Sequence, residues 1–260
     1  MPELPEAEAN RRRVTEHCLN RTIEAVRLGN DTTHVELPSA SEREALVGRQ
    51  FTETARHGKY IFAGSKTGPW IAVHLGMTGS LRPYTSGDAA PDFARITFEF
   101  EGDTRLAYRC PRKLGWVRPI DAPESFVAET GLGPDAMEID RARFRAVIGA
   151  TRGAVKSALM AQKKLAGLGN LWSDETLFRA GIAPDRTASG LDEGQLDSLY
   201  DEMRHVLGTL LDLNADYSKL PDDWLLRARE EGVDCPRCGG TITKTTVGGR
   251  SAYHCTEHQS

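Results

Sequence analysis

The hydrophobic pattern of this 260-residue chain changes character once, near residue 130. Before that point, short alternating runs are separated by turn-rich gaps, which is typical of antiparallel strands in a sandwich or barrel. A helix is predicted ahead of the strands at 5–18, because Pro5 suits a first helical turn and Glu6 suits the positive end of the helix dipole. The strand-like runs lie at 22–28, 51–57, 59–64, 70–75, 94–101, 104–109 and 115–120.

Beyond residue 130 the periodicity becomes helical, from about 138 to 213. The Gly- and Pro-bearing stretch between the two patterns predicts a hinge. We therefore expect an α+β protein of two lobes with a cleft between them. The predicted divisions are a β domain at 1–128, the hinge at 129–137, a helical domain at 138–231 and a Cys-bearing tail at 232–260.

Charge is distributed unevenly along the chain. The net charge of −4, taken alone, argues against a nucleic-acid partner. Residues 191–234 hold twelve acidic and four basic side chains, whereas 104–120 hold five basic ones and 151–165 hold four, including Lys156, with no acid in either run. Local fields steer a polyanion, so the basic runs favour nucleic-acid binding, with a merely solvated basic face as the alternative.

No run of 18 apolar residues is present, which excludes a membrane-spanning helix of the usual kind. The start of the chain also lacks the apolar segment of a secretory signal. We therefore expect a cytoplasmic protein with no membrane partner.

Four metal-ligand side chains cluster near the end of the chain. Cys235 and Cys238 form one C-x-x-C pair, and Cys255 and His258 form a second pair sixteen residues later. Two such pairs can surround one tetrahedral ion, and a tail this short needs a metal to fold, so one structural Zn²⁺ is predicted. A redox C-x-x-C or an iron–sulfur site is the alternative, and His254 is a second candidate for the fourth ligand.

Pro2 follows the initiator Met1, and a small second residue normally permits removal of that methionine. The exposed imino group would have a pKa near ~8, well below the ~10.4 of lysine, so a neutral fraction exists at neutral pH. Such an amine can attack an electrophilic sugar carbon and form a Schiff base. Glu3 is adjacent and can donate or accept a proton. A helix start punctuated by proline is the alternative reading of this segment.

Several separate motifs occur in one order along the chain, and together they resemble the formamidopyrimidine-DNA glycosylase/endonuclease VIII family. The resemblance spans nearly the whole sequence, and "PELPE" rather than "PEGPE" favours the formamidopyrimidine-glycosylase branch. The motifs are "PELPEAE" at 2–8, "RHGKYIF" around Lys59, "HLGMTGSLR" at 74–82, "PRKLGW" at 111–116, "KLAGLGNLWSDETLFRAGIAPDR" at 164–186 and the terminal finger.

The resemblance implies an N-terminal antiparallel β-sandwich, a helix-two-turn-helix domain and a zinc-finger hairpin. It also implies a bifunctional glycosylase and abasic-site lyase of base excision repair, in which Pro2 attacks C1′ of the damaged nucleotide. Glu3 would then act as proton donor and shuttle, Glu6 as a nearby acid, and Lys59 would bind phosphates beside the lesion. β- and δ-Elimination would follow, cutting the strand on both sides.

The implied partner is damaged double-stranded DNA, bound by a monomeric bacterial protein associated with the nucleoid. A base flipped out of the duplex leaves a void that the protein fills. Gly167 and Gly169 would let the backbone approach a phosphate at the start of a helix. The expected DNA-binding residues are the void-filling Met77, Arg112 and Leu114, the phosphate-binding Asn170 and Arg250, and Lys156 of the basic run.

The sequence departs from the family pattern at several positions. Leu114 replaces the usual Phe, Cys110 replaces a common Asp, Trp172 replaces a usual Tyr and His258 replaces the fourth Cys. The flexible loop that covers an everted 8-oxoguanine in the family is not recognisable before the finger. Two alternatives therefore stay open: an endonuclease-VIII-like preference for oxidised pyrimidines or hydantoins, and a catalytically idle protein that only binds damaged DNA.

Overall fold

The computed structural model describes residues 2–260; Met1, whose removal we expect, lies outside the described residues. The chain divides into two compact units, one ending at Gly131 and the other running from Leu132 to Ser260. This division falls inside the predicted hinge. Residues beyond it are already ordered within the second unit, where the Ala136 amide donates to the Ala166 carbonyl at 2.9 Å. The finger hairpin and the helices belong to one unit.

The first unit contains two four-stranded antiparallel sheets, as predicted. Their strand orders are β1-β6-β7-β5 and β2-β3-β4-β8. The strands are β1 (Ile23–Leu28), β2 (Glu53–His57), β3 (Tyr60–Gly64), β4 (Trp70–His74), β5 (Ser80–Thr85), β6 (Ala94–Phe100), β7 (Thr104–Arg109) and β8 (Trp116–Ile120).

The sequence patterns did not predict β5, because Pro83 interrupts it. A proline cannot donate to a strand ladder and is therefore tolerated on an edge strand, which is where β5 lies. Pro119 occupies the same kind of position on edge strand β8. Whether a proline-containing segment can form a strand therefore depends on its position in the sheet, which the local sequence pattern does not show.

Helix α1 (Leu4–Cys18) is the element that sets the start of the chain. Leu4, Ala7, Val14 and Cys18 are buried on one face, and the helix packs against β2, β3, β5 and β7. Fully burying such side chains stabilises by roughly 1.5–3 kcal/mol for each large one. The residues just before α1 are therefore anchored to the core. Two further helices of this unit are α2 (Ala40–Leu46) and α3 (Pro123–Thr130).

The second unit is helical with a terminal hairpin, in agreement with the predicted segments. Asp192 caps the longest helix by accepting from the Gln195 amide at 2.8 Å. None of the helices in the described part of the chain could span a lipid bilayer. The elements are α4 (Arg141–Gly149), α5 (Val155–Met160), α6 (Asn170–Ala180), α7 (Glu193–Asp212), β9 (Ile242–Val247) and β10 (Arg250–Cys255).

The segment between α7 and the finger, residues 213–231, contains two short 3₁₀ helices packed on α6. Trp224 is 1% exposed, and its ring meets the buried Trp172 ring edge-on with centroids 6.4 Å apart. The Tyr217 ring also meets the Trp172 ring edge-on, with centroids 5.1 Å apart. Trp172 therefore supplies the surface of α6 on which this segment packs.

Several acidic side chains of the 191–234 stretch form salt bridges within the second unit. Arg141 bonds Asp201 at 2.5 Å, Arg145 bonds Asp197, and Arg179 bonds Glu202 at 2.9 Å. These exposed pairs contribute little stability each, but they neutralise the negative surface of α7.

Candidate functional site

Pro2 and Glu3 lie immediately before α1. Pro2 is half-buried, and Glu3 is 1% exposed at the N-cap position of the helix. The backbone amide of Glu3 donates to the Glu6 carboxylate at 2.9 Å. Glu6 is the third residue of the helix, and its side chain fixes the Glu3 amide. The backbone that leads to the Pro2 nitrogen is therefore held in one orientation.

Asn10 joins the start of α1 to the adjacent sheet, and sequence reasoning missed it. Its Nδ2 donates to the Glu6 carbonyl and its Oδ1 accepts from the Leu81 amide on β5, both at 2.7 Å. The side chain is 5% exposed. A polar residue among the apolar positions of the predicted helix was the one available signal. Asn10 therefore fixes the position of the helix start relative to the strands.

Lys59 occupies the two-residue turn between β2 and β3, not a strand position as the sequence indicated. His57 pairs with Tyr60 across this turn. Arg56 stabilises the turn: its guanidinium donates to the Gly58 carbonyl at 3.1 Å and lies 3.4 Å from the Glu8 carboxylate of α1. The lysine is thus held at a hairpin tip that is tied to the helix bearing Glu3.

His74, at the end of β4, lies next to the Lys59 charge. Burial, together with the Lys59 and Arg118 charges, lowers the pKa of His74 from 6.5 to about 4. Its ring stacks on Trp116 with centroids 5.8 Å apart and packs on Tyr60 at 5.1 Å. The imidazole is therefore neutral at physiological pH.

Met77 lies in a turn that packs directly against the loop bearing Arg112 and Leu114. Gly76 has φ +63°, and a Cβ on it would lie 2.5 Å from both the Gly115 nitrogen and the Leu114 carbonyl carbon. Only glycine permits this approach. The Met77 turn and the second loop are thus locked together, and we call residues 110–115 the wedge loop.

The wedge loop presents Arg112 and Leu114 outward. Both are exposed, Leu114 by 54%. Lys113 between them has φ +54°, and its ammonium bonds the Asp31 carboxylate at 2.7 Å. Turning Lys113 back onto Asp31 leaves its two neighbours facing solvent.

In the second unit, Asn170 is the first residue of α6 and is half-buried. Its Oδ1 is buried and has no hydrogen-bond partner among the described residues. The loop before it is shaped by Gln162, whose side chain accepts from the Gly167 amide at 3.1 Å and donates to the Leu168 carbonyl at 2.7 Å. The backbone amides at the start of α6 and the side chain of Asn170 therefore lie close together.

Lys156 lies in the interior, which corrects the expectation that it contacts DNA. It is 0% exposed, and its ammonium lies 2.6 Å from the Asp174 carboxylate. Arg229 bonds the other oxygen of Asp174 at 2.7 Å. Burial raises the pKa of Asp174, against the lowering effect of Lys156 and Arg229. An unpaired buried charge is costly, so the Lys156 side chain stays with its partner.

The three finger cysteines and His258 converge. Their ligand atoms lie within 4.8 Å of one another and could hold one metal ion. His258 Nδ1 lies 3.6 Å from the sulfurs of Cys235 and Cys238, and the Cys238 and Cys255 sulfurs are 3.5 Å apart. His258 Nε2 lies 3.1 Å from the Phe178 carbonyl, which orients the ring. His254, the other candidate, is outside this group.

The finger hairpin places Arg250 just after a two-glycine turn. Gly248 and Gly249 both have positive φ, +56° and +74°, as a tight two-residue hairpin requires. Arg250 is exposed and makes no salt bridge with the residues that the structure describes. The guanidinium is available to an anion.

Glu175 is a buried carboxylate that sequence reasoning also missed. It is 1% exposed and accepts from the Leu225 and Leu226 amides at 3.1 and 3.0 Å. Burial raises its pKa from 4.5 to about 7, against the lowering effect of those two hydrogen bonds. Glu175 thus pins the segment before the finger onto α6.

Two family models match the chain. The formamidopyrimidine-DNA glycosylase N-terminal domain matches residues 1–117, and the formamidopyrimidine-DNA glycosylase H2TH domain matches residues 131–221.

Curated relatives match along their full length. A formamidopyrimidine-DNA glycosylase of Geobacter metallireducens is 35% identical, with 100% of each chain covered, and one of Methylococcus capsulatus is 34% identical, with 98% of each covered.

Solved structures match in fold as well. The Lactococcus lactis formamidopyrimidine-DNA glycosylase bound to DNA containing an abasic site aligns with TM-score 0.87 at 25% identity, covering 99% of each chain. A MutM structure in complex with DNA containing carbocyclic 8-oxoguanine aligns with TM-score 0.87 at 26% identity, covering 100% of each chain.

Proposed function

Because this chain belongs to the formamidopyrimidine-DNA glycosylase family, we propose that it removes oxidised bases from DNA and then cleaves the abasic strand, using Pro2 as nucleophile. The observation that carries the proposal is the arrangement at the helix start. Pro2 precedes the buried Glu3, and the Glu6 carboxylate holds the Glu3 amide at 2.9 Å. A protein that only bound DNA would have no need of a fixed imino group beside a buried acid.

In the proposed reaction, the Pro2 nitrogen forms a bond to C1′ of the damaged nucleotide as the bond from C1′ to the base breaks. The electrons of that bond leave with the base, which takes up a proton, and the attacking nitrogen gives up its own proton. Glu3 supplies the proton that opens the sugar ring at the ring oxygen, and the regained nitrogen lone pair then completes a Schiff base. The iminium acidifies the neighbouring sugar proton, so successive β- and δ-elimination expel the 3′ and 5′ phosphates. Glu6 acts as a positioning residue, through its bond to Glu3.

DNA binding is assigned to side chains of both units. Lys59 would contact phosphates beside the lesion, and Asn170 and Arg250 would hold others. Met77, Arg112 and Leu114 would fill the void left by the flipped nucleotide. The close contact between Gly76 and the wedge loop supports the void-filling role of these three residues. It brings all three to one edge of the first unit.

We propose zinc as the ion of the finger, held by Cys235, Cys238, Cys255 and His258. Three thiolates and one imidazole suit Zn²⁺, and bonds of about 2.3 Å to sulfur and 2.0 Å to nitrogen give sulfur–nitrogen separations of roughly 3.5 Å. The separations of 3.6 Å fit this requirement. The ion would supply folding free energy to the hairpin that carries Arg250 and would take no part in catalysis.

The lesion range is proposed to favour formamidopyrimidines over 8-oxoguanine. The specific support is the segment before the finger, where Glu175 binds two amides and Trp224 is buried. A segment pinned in this way is poorly suited to fold over an everted base. An endonuclease-VIII-like range of oxidised pyrimidines and hydantoins is the second candidate, and the same observation favours it.

The test is borohydride trapping on duplexes that each carry one abasic site, formamidopyrimidine, 8-oxoguanine or thymine glycol. We expect a covalent adduct with wild type that is lost in Pro2→Gly. Trapping strongest on formamidopyrimidine supports the first lesion range, and trapping strongest on thymine glycol supports the second. Tight binding of the abasic duplex without any adduct would show a protein that binds damage but does not process it.

A further inference from the structure

Phe93, in the connection between β5 and β6, is an exposed aromatic residue in a strained backbone conformation. Its side chain is 53% exposed, and its φ is +61°. The left-handed region disfavours residues with a Cβ, and for a bulky aromatic it is an outlier. A side chain that is mostly exposed gains little from burial that could offset the strain. Such outliers concentrate at sites of function.

One backbone hydrogen bond joins the wedge loop to Phe93, and the side chain of nearby Arg95 bonds the same loop. The Phe93 carbonyl accepts from the Cys110 amide at 3.1 Å, and the Cys110 carbonyl accepts from Arg95 Nε at 3.0 Å. Arg95 in turn pairs with Asp31, the carboxylate that also holds Lys113. The backbone of Phe93 and the loop that exposes Leu114 are therefore parts of one hydrogen-bonded unit.

Two guanidinium groups hold the ring of Phe93. Arg109 and Arg95 lie 5.5 and 5.8 Å from its centroid, within the range of cation–π contacts. Because the ring is held before any ligand binds, stacking on it would cost little conformational entropy.

The charge around Phe93 favours a polyanion over a second protein surface. Residues 104–120, which include Arg109 and Arg112, contain five basic and no acidic side chains. Two exposed acids lie nearby in the chain, Asp31 and Asp92, and the charge of Asp31 is offset by its pairs with Lys113 and Arg95. An aromatic face among cations is the arrangement that binds nucleobases together with their phosphates.

We propose that Phe93 stacks on a nucleobase of the bound DNA beside the wedge loop, supplying the aromatic contact that Leu114 cannot make. This inference rests on the proposed function, since it takes damaged DNA as the ligand. Leu114 provides apolar bulk for the void, and the ring of Phe93 provides the planar surface. The division of one task between two loops explains how the chain retains stacking with an aliphatic wedge.

The test measures affinity for a duplex carrying a tetrahydrofuran abasic analogue, which cannot form a Schiff base. Phe93→Asn removes the ring and introduces a residue that tolerates positive φ, so the fold is retained. Phe93→Tyr keeps the ring. Val47→Asn is the matched control, because Val47 is 44% exposed in the same unit, in the connection that follows α2.

We expect Phe93→Asn to weaken binding about 10-fold, the scale of one lost base–aromatic stack, and Phe93→Tyr and Val47→Asn to change it less than twofold. The slope of log affinity against log salt should stay unchanged in Phe93→Asn, because stacking releases no counterions. Unchanged affinity in that variant, or a shallower salt slope, would overturn the proposal. Since this duplex is bound non-covalently, failure of borohydride trapping in wild type would count against the proposed chemistry alone.

Discussion

The Glu6 carboxylate accepts a 2.9 Å hydrogen bond from the backbone amide of Glu3, so the side chain of one acid fixes the main chain of another. The bond joins the first turn of α1 to the residue that follows Pro2. Replacing Glu6 by Ala leaves this amide without its partner, whereas Gln retains an acceptor at the same place.

We predict that Glu6→Ala lowers the rate of borohydride trapping about 10-fold and lowers stability by about 1 kcal/mol, the usual effect of a lost helix cap. Glu6→Gln should recover most of both. The measurements are single-turnover trapping and urea unfolding. If Gln impairs trapping as much as Ala does while stability recovers, the Glu6 charge has a chemical task beyond positioning.

Gly76 tests the contact between the Met77 turn and the wedge loop. Gly76→Ala should weaken binding of the abasic-analogue duplex by at least 10-fold, because its Cβ would displace Leu114 and Gly115. Gly48→Ala is the matched control: Gly48 has φ +77° and open space around it, so Ala there introduces backbone strain of about 1 kcal/mol without a clash. Equal losses of DNA affinity in both variants would contradict the prediction.

Metal content discriminates between the two finger histidines. Wild-type protein should bind one equivalent of zinc per chain. His258→Ala should bind less than this and should bind DNA more weakly, whereas His254→Ala should retain the full equivalent. The reason is that His258 Nδ1 lies 3.6 Å from two of the cysteine sulfurs, whereas His254 lies outside the group of four ligand residues. Elemental analysis of purified protein gives the stoichiometry, and a mobility shift after chelation tests the link to DNA. Full DNA affinity without metal would show that the ion is dispensable.

Lys156 should behave as a structural residue. Lys156→Ala leaves Asp174 with Arg229 as its remaining cation and is expected to lower stability by about 3–5 kcal/mol. Lys156→Met, which fills the volume, should cost less. Chemical unfolding gives the loss, and the salt dependence of DNA binding provides the contrast. A stable variant with a shallower salt slope would instead return Lys156 to the phosphate-binding residues.

His74 gives the first unit an acid sensitivity. Its pKa falls from 6.5 to about 4 on folding, so between these values the unfolded chain binds the extra proton. The stability associated with neutral His74 is thus complete above pH 6.5 and is lost as pH falls toward 4, by about 3 kcal/mol at most. Thermal unfolding from pH 7.5 to 4.5 should show this fall in wild type and a smaller one in His74→Phe. Parallel curves would exclude His74 as the cause.

Features that depend on local spacing could be predicted from the sequence. The finger ligands are two pairs at short spacing, and such a pair converges on one ion wherever its hairpin lies. Helices α6 and α7 follow from apolar periodicity over many residues, and the helix at the N-terminus follows from Pro5 and the acids behind it. The roles proposed for Pro2 and Glu3 also come from the sequence, because that chemistry depends on their place at the start of the chain.

The fate of individual polar side chains was decided by tertiary structure. Lys156 belongs to a basic run and looked exposed, yet it is buried because Asp174, eighteen residues later, folds against it. Asn10 and Glu175 likewise accept hydrogen bonds from backbone amides on segments that are distant in the chain. A sequence pattern with a period of two or 3.6 residues reports which face of an element is apolar. It cannot report which polar group will meet which, because that depends on contacts between segments far apart in the chain.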